Sequence, residues 1–121
     1  MKVDYTILRS FLFKISKGKQ EKLFEDVFAT GGEDHSGRVA TTLQYMEDNG
    51  LFTSTNETDE SKKVYRIQPK LTSKGQDIFY MIKDESFWAK ICAKYLTDDF
   101  LPFEIFEMAV KKEFRKTHNL I

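Results

Sequence analysis

Apolar residues recur along the first part of the chain in the spacing of a helix with one buried face. Ile7, Leu8, Phe11, Leu12 and Ile15 fall at i, i+1, i+4, i+5 and i+8, which predicts a first helix over about Val3–Ser16 stopping near Gly18. Leu23, Phe24, Val27 and Phe28 predict a second, shorter helix that Gly31-Gly32 ends. Val39, Leu43 and Met46 place a third helix between candidate N-caps in Glu33-Asp34-His35-Ser36 and the closing Gly50. The period then shortens to that of a strand. Leu51–Thr55 and Val64–Gln68 read as the arms of a hairpin with a charged tip at 56–62. From Pro69 and Leu71-Thr72 onward the helical spacing returns. Thr72 is the expected cap of a fourth helix with Ile78, Phe79 and Ile82 on its apolar face. Asp84-Glu85-Ser86 re-caps a fifth helix through Phe87, Trp88, Ile91, Cys92, Tyr95 and Leu96. Pro102 suits the first position of a sixth, with Phe103, Phe106, Val110 and Phe114 facing inward.

Three helices followed by a hairpin is the order of a winged helix-turn-helix, with the third helix as recognition helix and the hairpin as wing. The expected class is therefore mainly α with a small β-hairpin (α+β). A winged-helix core would occupy residues 1–70, with its wing at 51–68. A C-terminal helical extension over 71–121 would pack on that core or form a dimer seam. At 121 residues this is most simply one domain. Eleven phenylalanines fit the need of so short a chain for bulky core side chains.

Three segments carry a resemblance: Leu71-Thr72-Ser73-Lys74-Gly75, Asp84-Glu85-Ser86-Phe87-Trp88-Ala89-Lys90 and Leu101-Pro102-Phe103. They resemble domain-of-unknown-function family 2513, winged-helix proteins of phages, prophages and other bacterial mobile elements. The run Leu43–Leu51, ending Asp48-Asn49-Gly50-Leu51, is similar to the stretch that precedes the wing in that family. The resemblance implies a winged-helix fold and a mobile-element context, and it brings no catalytic or ligand residues with it. The chain departs from the family pattern in the long turn Gly31–Gly37 and in its acidic wing.

Little in the sequence points to catalysis. It contains no G-x-S-x-G, Ser-x-x-Lys, Walker loop or G-x-G-x-x-G. Glu33-Asp34-His35 mixes carboxylates with imidazole, but adjacent side chains diverge, so it reads as a solvated turn capping the third helix through Asp34 or Ser36. His118 lies in a tail with no evident partner, where disorder is expected. Cys92 is the one cysteine, which excludes an intramolecular disulfide, and its place on an apolar stripe makes it a buried, inert thiol. Trp88 has the spacing of a core residue. We therefore expect no enzyme, no cofactor, no metal and no small-molecule substrate. The start Met1-Lys2-Val3-Asp4 lacks a signal-peptide apolar region, and no apolar run approaches a membrane span. Those two features predict a cytoplasmic chain without a membrane partner.

Charge bears most directly on partners. The 19 basic and 19 acidic residues cancel overall but are unevenly placed. Residues 23–61 hold Glu25, Asp26, Glu33, Asp34, Glu47, Asp48, Glu57, Asp59 and Glu60 against Arg38 alone, a net of −8. Residues 1–22 carry +4 and residues 111–116 carry +3. Neutralising phosphates takes clustered Lys and Arg, so an acidic recognition helix and wing disfavour DNA. The expected partner is a protein, or a second copy in a homodimer; a sequence-specific DNA-binding regulator is the alternative. Candidate macromolecule contacts are Arg38, Thr41, Thr42, Gln44 and Tyr45 on the third helix, and Glu57, Asp59, Glu60, Lys62 and Lys63 on the wing. Phe103, Phe106, Val110 and Phe114 are either intramolecular core or the seam of the dimer.

Overall fold

The computed structural model of the chain describes residues 4–17, 33–58, 60, 64–96 and 101–118, with residues 33–40, 56–58 and 64–67 described by their backbone. Among these are five helices and one two-stranded antiparallel sheet, a mainly helical α+β architecture. The expected second helix, around Leu23–Phe28, lies outside the described residues. The chain divides into two compact units, Met1–Gln76 and Asp77–Ile121.

In the first unit, α1 spans Tyr5–Ser16. It begins two residues later than the apolar spacing implied because Asp4 caps it: Asp4 Oδ1 accepts from the amides of Thr6 (2.9 Å) and Ile7 (3.1 Å). Tyr5, Leu8, Phe11, Leu12 and Ile15 form its buried face. Helix α2 runs over Glu33–Asp48. Its backbone is already helical at Glu33, so neither Asp34 nor Ser36 is the cap and there is no solvated turn at 33–36. Acidic residues suit such a first turn, where the helix dipole is positive.

The end of α2 is a Schellman motif. Gly50 adopts φ +72°, its amide donates to Glu47 O (3.0 Å), and the Leu51 amide donates to Met46 O (2.9 Å). The accompanying apolar contact positions are Leu51 and Met46, both fully buried. The chain leaves this turn directly into β1 (Phe52–Thr58), which pairs antiparallel with β2 (Val64–Leu71).

Both strands are longer than the alternation predicted, and pairing extends from Phe52↔Leu71 to Thr58↔Val64. Pro69 was expected to end the hairpin. Instead the ladder slips between Thr53 and Thr55, and Gln68 takes a positive φ of 51°. Such a bulge accommodates a proline that has no amide hydrogen to give. Leu8, Leu12, Leu43, Met46, Leu51 and Phe52 make the centre of this unit's core, with α1 against α2 and β2.

Thr72 caps α3 (Ser73–Ile82) as expected, its Oγ1 accepting the Gly75 amide at 3.0 Å and donating to Gly50 O. The Thr72 amide donates to Leu51 O at 3.1 Å. Gly75 is buried against that same carbonyl. The motif Leu71–Gly75 is thus a device that fixes the start of α3 on the exit from α2.

In the second unit, Asp84 caps α4 (Glu85–Tyr95), its Oδ2 accepting from the Phe87 amide (2.9 Å) and Ser86 Oγ (2.6 Å). Helix α5 spans Phe103–Thr117, with Pro102 just outside it at the N-cap position. Ile78, Ile82, Phe87, Trp88, Ile91, Phe103, Phe106, Ala109 and Val110 are buried. The Trp88 and Phe106 rings meet edge to face at 6.2 Å.

Candidate functional site

The first candidate surface is the α2–hairpin face. Of its predicted contacts, Thr42 is removed outright: it is fully buried, and its Oγ1 accepts the Asp4 amide at 3.1 Å. Its short polar side chain ties α2 to the start of α1 and cannot reach a partner. Thr41 and Tyr45 are half-buried. The Tyr45 side chain hydrogen-bonds Tyr5, whose phenol is pushed well above its ordinary value, first by burial and then by that contact. Tyr45 O also accepts Asn49 Nδ2 at 2.8 Å.

Gln44 is exposed, and its Nε2 donates to Asp48 Oδ1 at 2.8 Å. Glu47 is half-buried and accepts Ser54 Oγ at 3.1 Å, which joins the end of α2 to β1. Arg38 lies within α2, and Glu57 within β1 opposite Tyr65. Glu60 is exposed, whereas Asp59, Lys62 and Lys63 lie outside the described residues. The exposed side chains described here include Gln44, Asp48, Glu60, Thr53 and Thr55, with one base among them, Lys70, across the ladder from Thr53.

The second unit corrects the dimer-seam reading. Phe103, Phe106 and Val110 are 2%, 0% and 0% exposed within a single chain. Of the two meanings of the α5 stripe, the intramolecular one holds for these three. Phe114 is half-buried, with rings of Tyr80 and Phe87 edge-on at 5.9 Å and His118 at 4.2 Å. His118 is accordingly no loose tail: its amide donates to Phe114 O at the C-cap of α5. Cys92 is half-buried instead of sealed in the core.

Glu113 was missed by sequence reasoning, which counted it only as one charge on the last helix. It is 1% exposed. Lys94 Nζ donates to its Oε1 at 2.5 Å and Tyr95 OH at 2.9 Å, while Lys90 Nζ stands 3.9 Å from Oε2. Among the described residues, Oε2 accepts no hydrogen bond. The Lys94 and Tyr95 hydrogen bonds hold the Glu113 carboxyl down at about 2 against the opposing effect of burial. The same contact raises Lys94. Near neutrality this is a locked ion pair joining α4 to α5. It stays ionised and is not poised to exchange a proton. The signal available in the sequence was the position of Glu113 seven residues after Phe106 on the apolar stripe.

Within this unit two cavities open beside Phe114. The larger, about 440 Å³, is lined by residues that include Phe87, Lys90, Thr117 and His118; the smaller, about 280 Å³, by Asp77, Lys111 and Arg115 among others. They share Tyr80, Met81 and Phe114. Among the described residues no group of His, Cys, Asp and Glu is arranged to hold a metal ion, and no helix is long and apolar enough to cross a membrane. No family model matches the chain, and neither a curated protein nor a solved structure does. The family resemblance therefore rests on the motifs between Leu71 and Phe103 and on the run ahead of the hairpin.

Proposed function

We propose that the chain is a non-enzymatic winged-helix binding module of the phage or mobile-element kind that its motifs resemble, and that it acts by protein–protein contact. In this reading α2 is the recognition helix, β1–β2 is the wing, and their shared face meets a basic surface on the partner. The absence of nucleophile motifs from the sequence supports a role without chemistry. One observation carries the choice of partner: residues 23–61 hold nine carboxylates and one basic side chain. A duplex carries roughly one negative charge per 1.7 Å of axis and draws most of its affinity from clustered cations. The side chains of α2 add weight to the choice. Thr42 is buried, and Gln44 is bonded to Asp48, so two of the groups suited to reading base edges are already engaged.

The test is a gel-shift series with a mixed-sequence duplex at falling ionic strength. The expected result is no retained complex at about 150 mM salt, with weak binding only as the salt is removed. A tight complex at that salt, weakened by Arg38→Ala, would overturn the proposal and make the chain a DNA-binding regulator. In parallel, capture of a basic protein from a bacterial host is expected to be lost when Glu57, Asp59 and Glu60 are changed to Gln, Asn and Gln.

A further inference from the structure

We propose that the groove formed by α3, α4 and α5 in the second unit is a docking channel for an acidic, amphipathic segment of a protein partner. This surface belongs to the second unit and the α2–hairpin face to the first, and the inference goes beyond the function proposed for that face. The two cavities beside Phe114 have Tyr80, Met81 and Phe114 in common in their linings. Along α3 and the residue that follows it, the lining residues run from Asp77 to Lys83, roughly 9 Å at the helical rise, the length of a short peptide segment.

The floor of the groove is apolar and open. Tyr80 is 62% exposed, and its ring rests edge-on against half-buried Phe114, which itself meets Phe87. A large aromatic side chain left open in a concavity is the usual anchor point of an interface. The larger cavity, about 440 Å³, has room for a leucine or phenylalanine side chain from the occupant.

Charge identifies the occupant. Lys90 on α4 lines the larger cavity and Lys111 and Arg115 on α5 the smaller, while Lys83 lies over the Tyr80 ring at 5.0 Å. Arg115 has no carboxylate partner among the described residues, whereas Lys111 is 3.4 Å from Glu107 and Lys90 is 3.9 Å from Glu113. Against these four cations the lining contains two carboxylates, Asp77 and Asp84. Asp84 is occupied in capping α4. A ligand that brings carboxylates to the α5 wall and an apolar side chain to the floor meets both features. A nucleic-acid strand fits less well, since its evenly spaced phosphates would have to pass Asp77 and Asp84, whereas a peptide can place its charges on one flank.

The experiment is selection of a random 12-residue peptide library, displayed on phage, against the intact chain. The enriched peptides are then measured by fluorescence anisotropy. The expected consensus is one or two large apolar residues flanked by Asp or Glu. Affinity should fall at least tenfold with Tyr80→Ala and with the double change Lys111→Glu, Arg115→Glu, and remain unchanged with Lys70→Glu on the first unit. All of these positions are exposed, and far-UV circular dichroism verifies that the variants fold. Amide shift mapping on the unaltered chain gives a second readout, with perturbations expected around Tyr80, Lys111 and Arg115. The proposal is overturned by failure to enrich, by a basic or uncharged consensus, or by binding indifferent to both groove variants. Shifts confined to other residues overturn it too, as does tighter groove-dependent binding of a twelve-nucleotide oligothymidine.

Discussion

Replacing Gly75 with alanine sets two effects of opposite sign against each other. Alanine is the better helix former by about 1 kcal/mol, so local propensity alone makes Gly75→Ala stabilising. The tertiary structure reverses this. A Cβ on Gly75 would stand 1.9 Å from Leu51 O and 2.9 Å from Leu51 C, both backbone atoms. Neither can rotate away, so the first turn of α3 or the Leu51 peptide must shift by more than 1 Å to reach ordinary contact, roughly 3.5 Å. Leu51 is held on both sides, its amide on Met46 O and its carbonyl under the Thr72 amide. Forced displacement in a packed region costs about 1–3 kcal/mol, and loosening the Thr72 bond adds about 1 kcal/mol. After the helix gain is subtracted, the net loss is about 1–3 kcal/mol. Urea unfolding followed by circular dichroism should show a midpoint lower by roughly 1 M, taking a slope of about 1–3 kcal/mol per M. Gln76→Ala, on the exposed side of the same turn, should remain within about 0.5 kcal/mol of the parent. A Gly75→Ala chain as stable as the parent, or more so, would refute the close approach of α3 to Leu51.

Gly50→Ala tests a purely conformational cost, because no atom lies within 4 Å of the added Cβ while φ is +72°. A loss of about 1 kcal/mol is expected in the same urea assay, and Gly50→Asn should recover most of it, since asparagine tolerates left-handed backbone. The Glu113 pair predicts an acid limb. A carboxyl lowered from 4.5 to about 2 contributes stability in full above pH 4.5, and the contribution is lost as the pH falls toward 2. Glu113→Gln should be less stable near neutrality and lose less on acidification through that window than the parent. Equal acid slopes in urea midpoints measured across the window would count against the buried pair. Asp84→Asn provides the comparison, because that carboxyl is also lowered, by Ser86 and the Phe87 amide.

The elements that could be read from sequence are those whose causes lie within a few residues of one another. The stripe Leu8, Phe11, Leu12 and Ile15, the glycine two residues after Asp48 and the threonine before Ser73 each act through neighbours one or two turns away. A linear pattern carries that information in full. The extended hairpin did not show because a proline reads as a stop until a bulge and a positive φ at Gln68 absorb it. Asp34 and Ser36 are good caps by type, but the helix had already begun at Glu33.

By itself, the amino-acid sequence determined the alternation of helices and hairpin, the chain's division into acidic and basic stretches, and the residues able to cap or break each element. Which apolar and polar side chains are shared, and with whom, was decided only in three dimensions. Thr42 is sealed by a backbone amide 38 positions away, and Glu113 is held by a lysine 19 positions away. The α5 stripe states that one face must leave water, and it says the same whether that face meets its own chain or another. Periodicity records exclusion from solvent, which is a property of one segment. Pairing depends on the approach of two segments, and no spacing within either one records it.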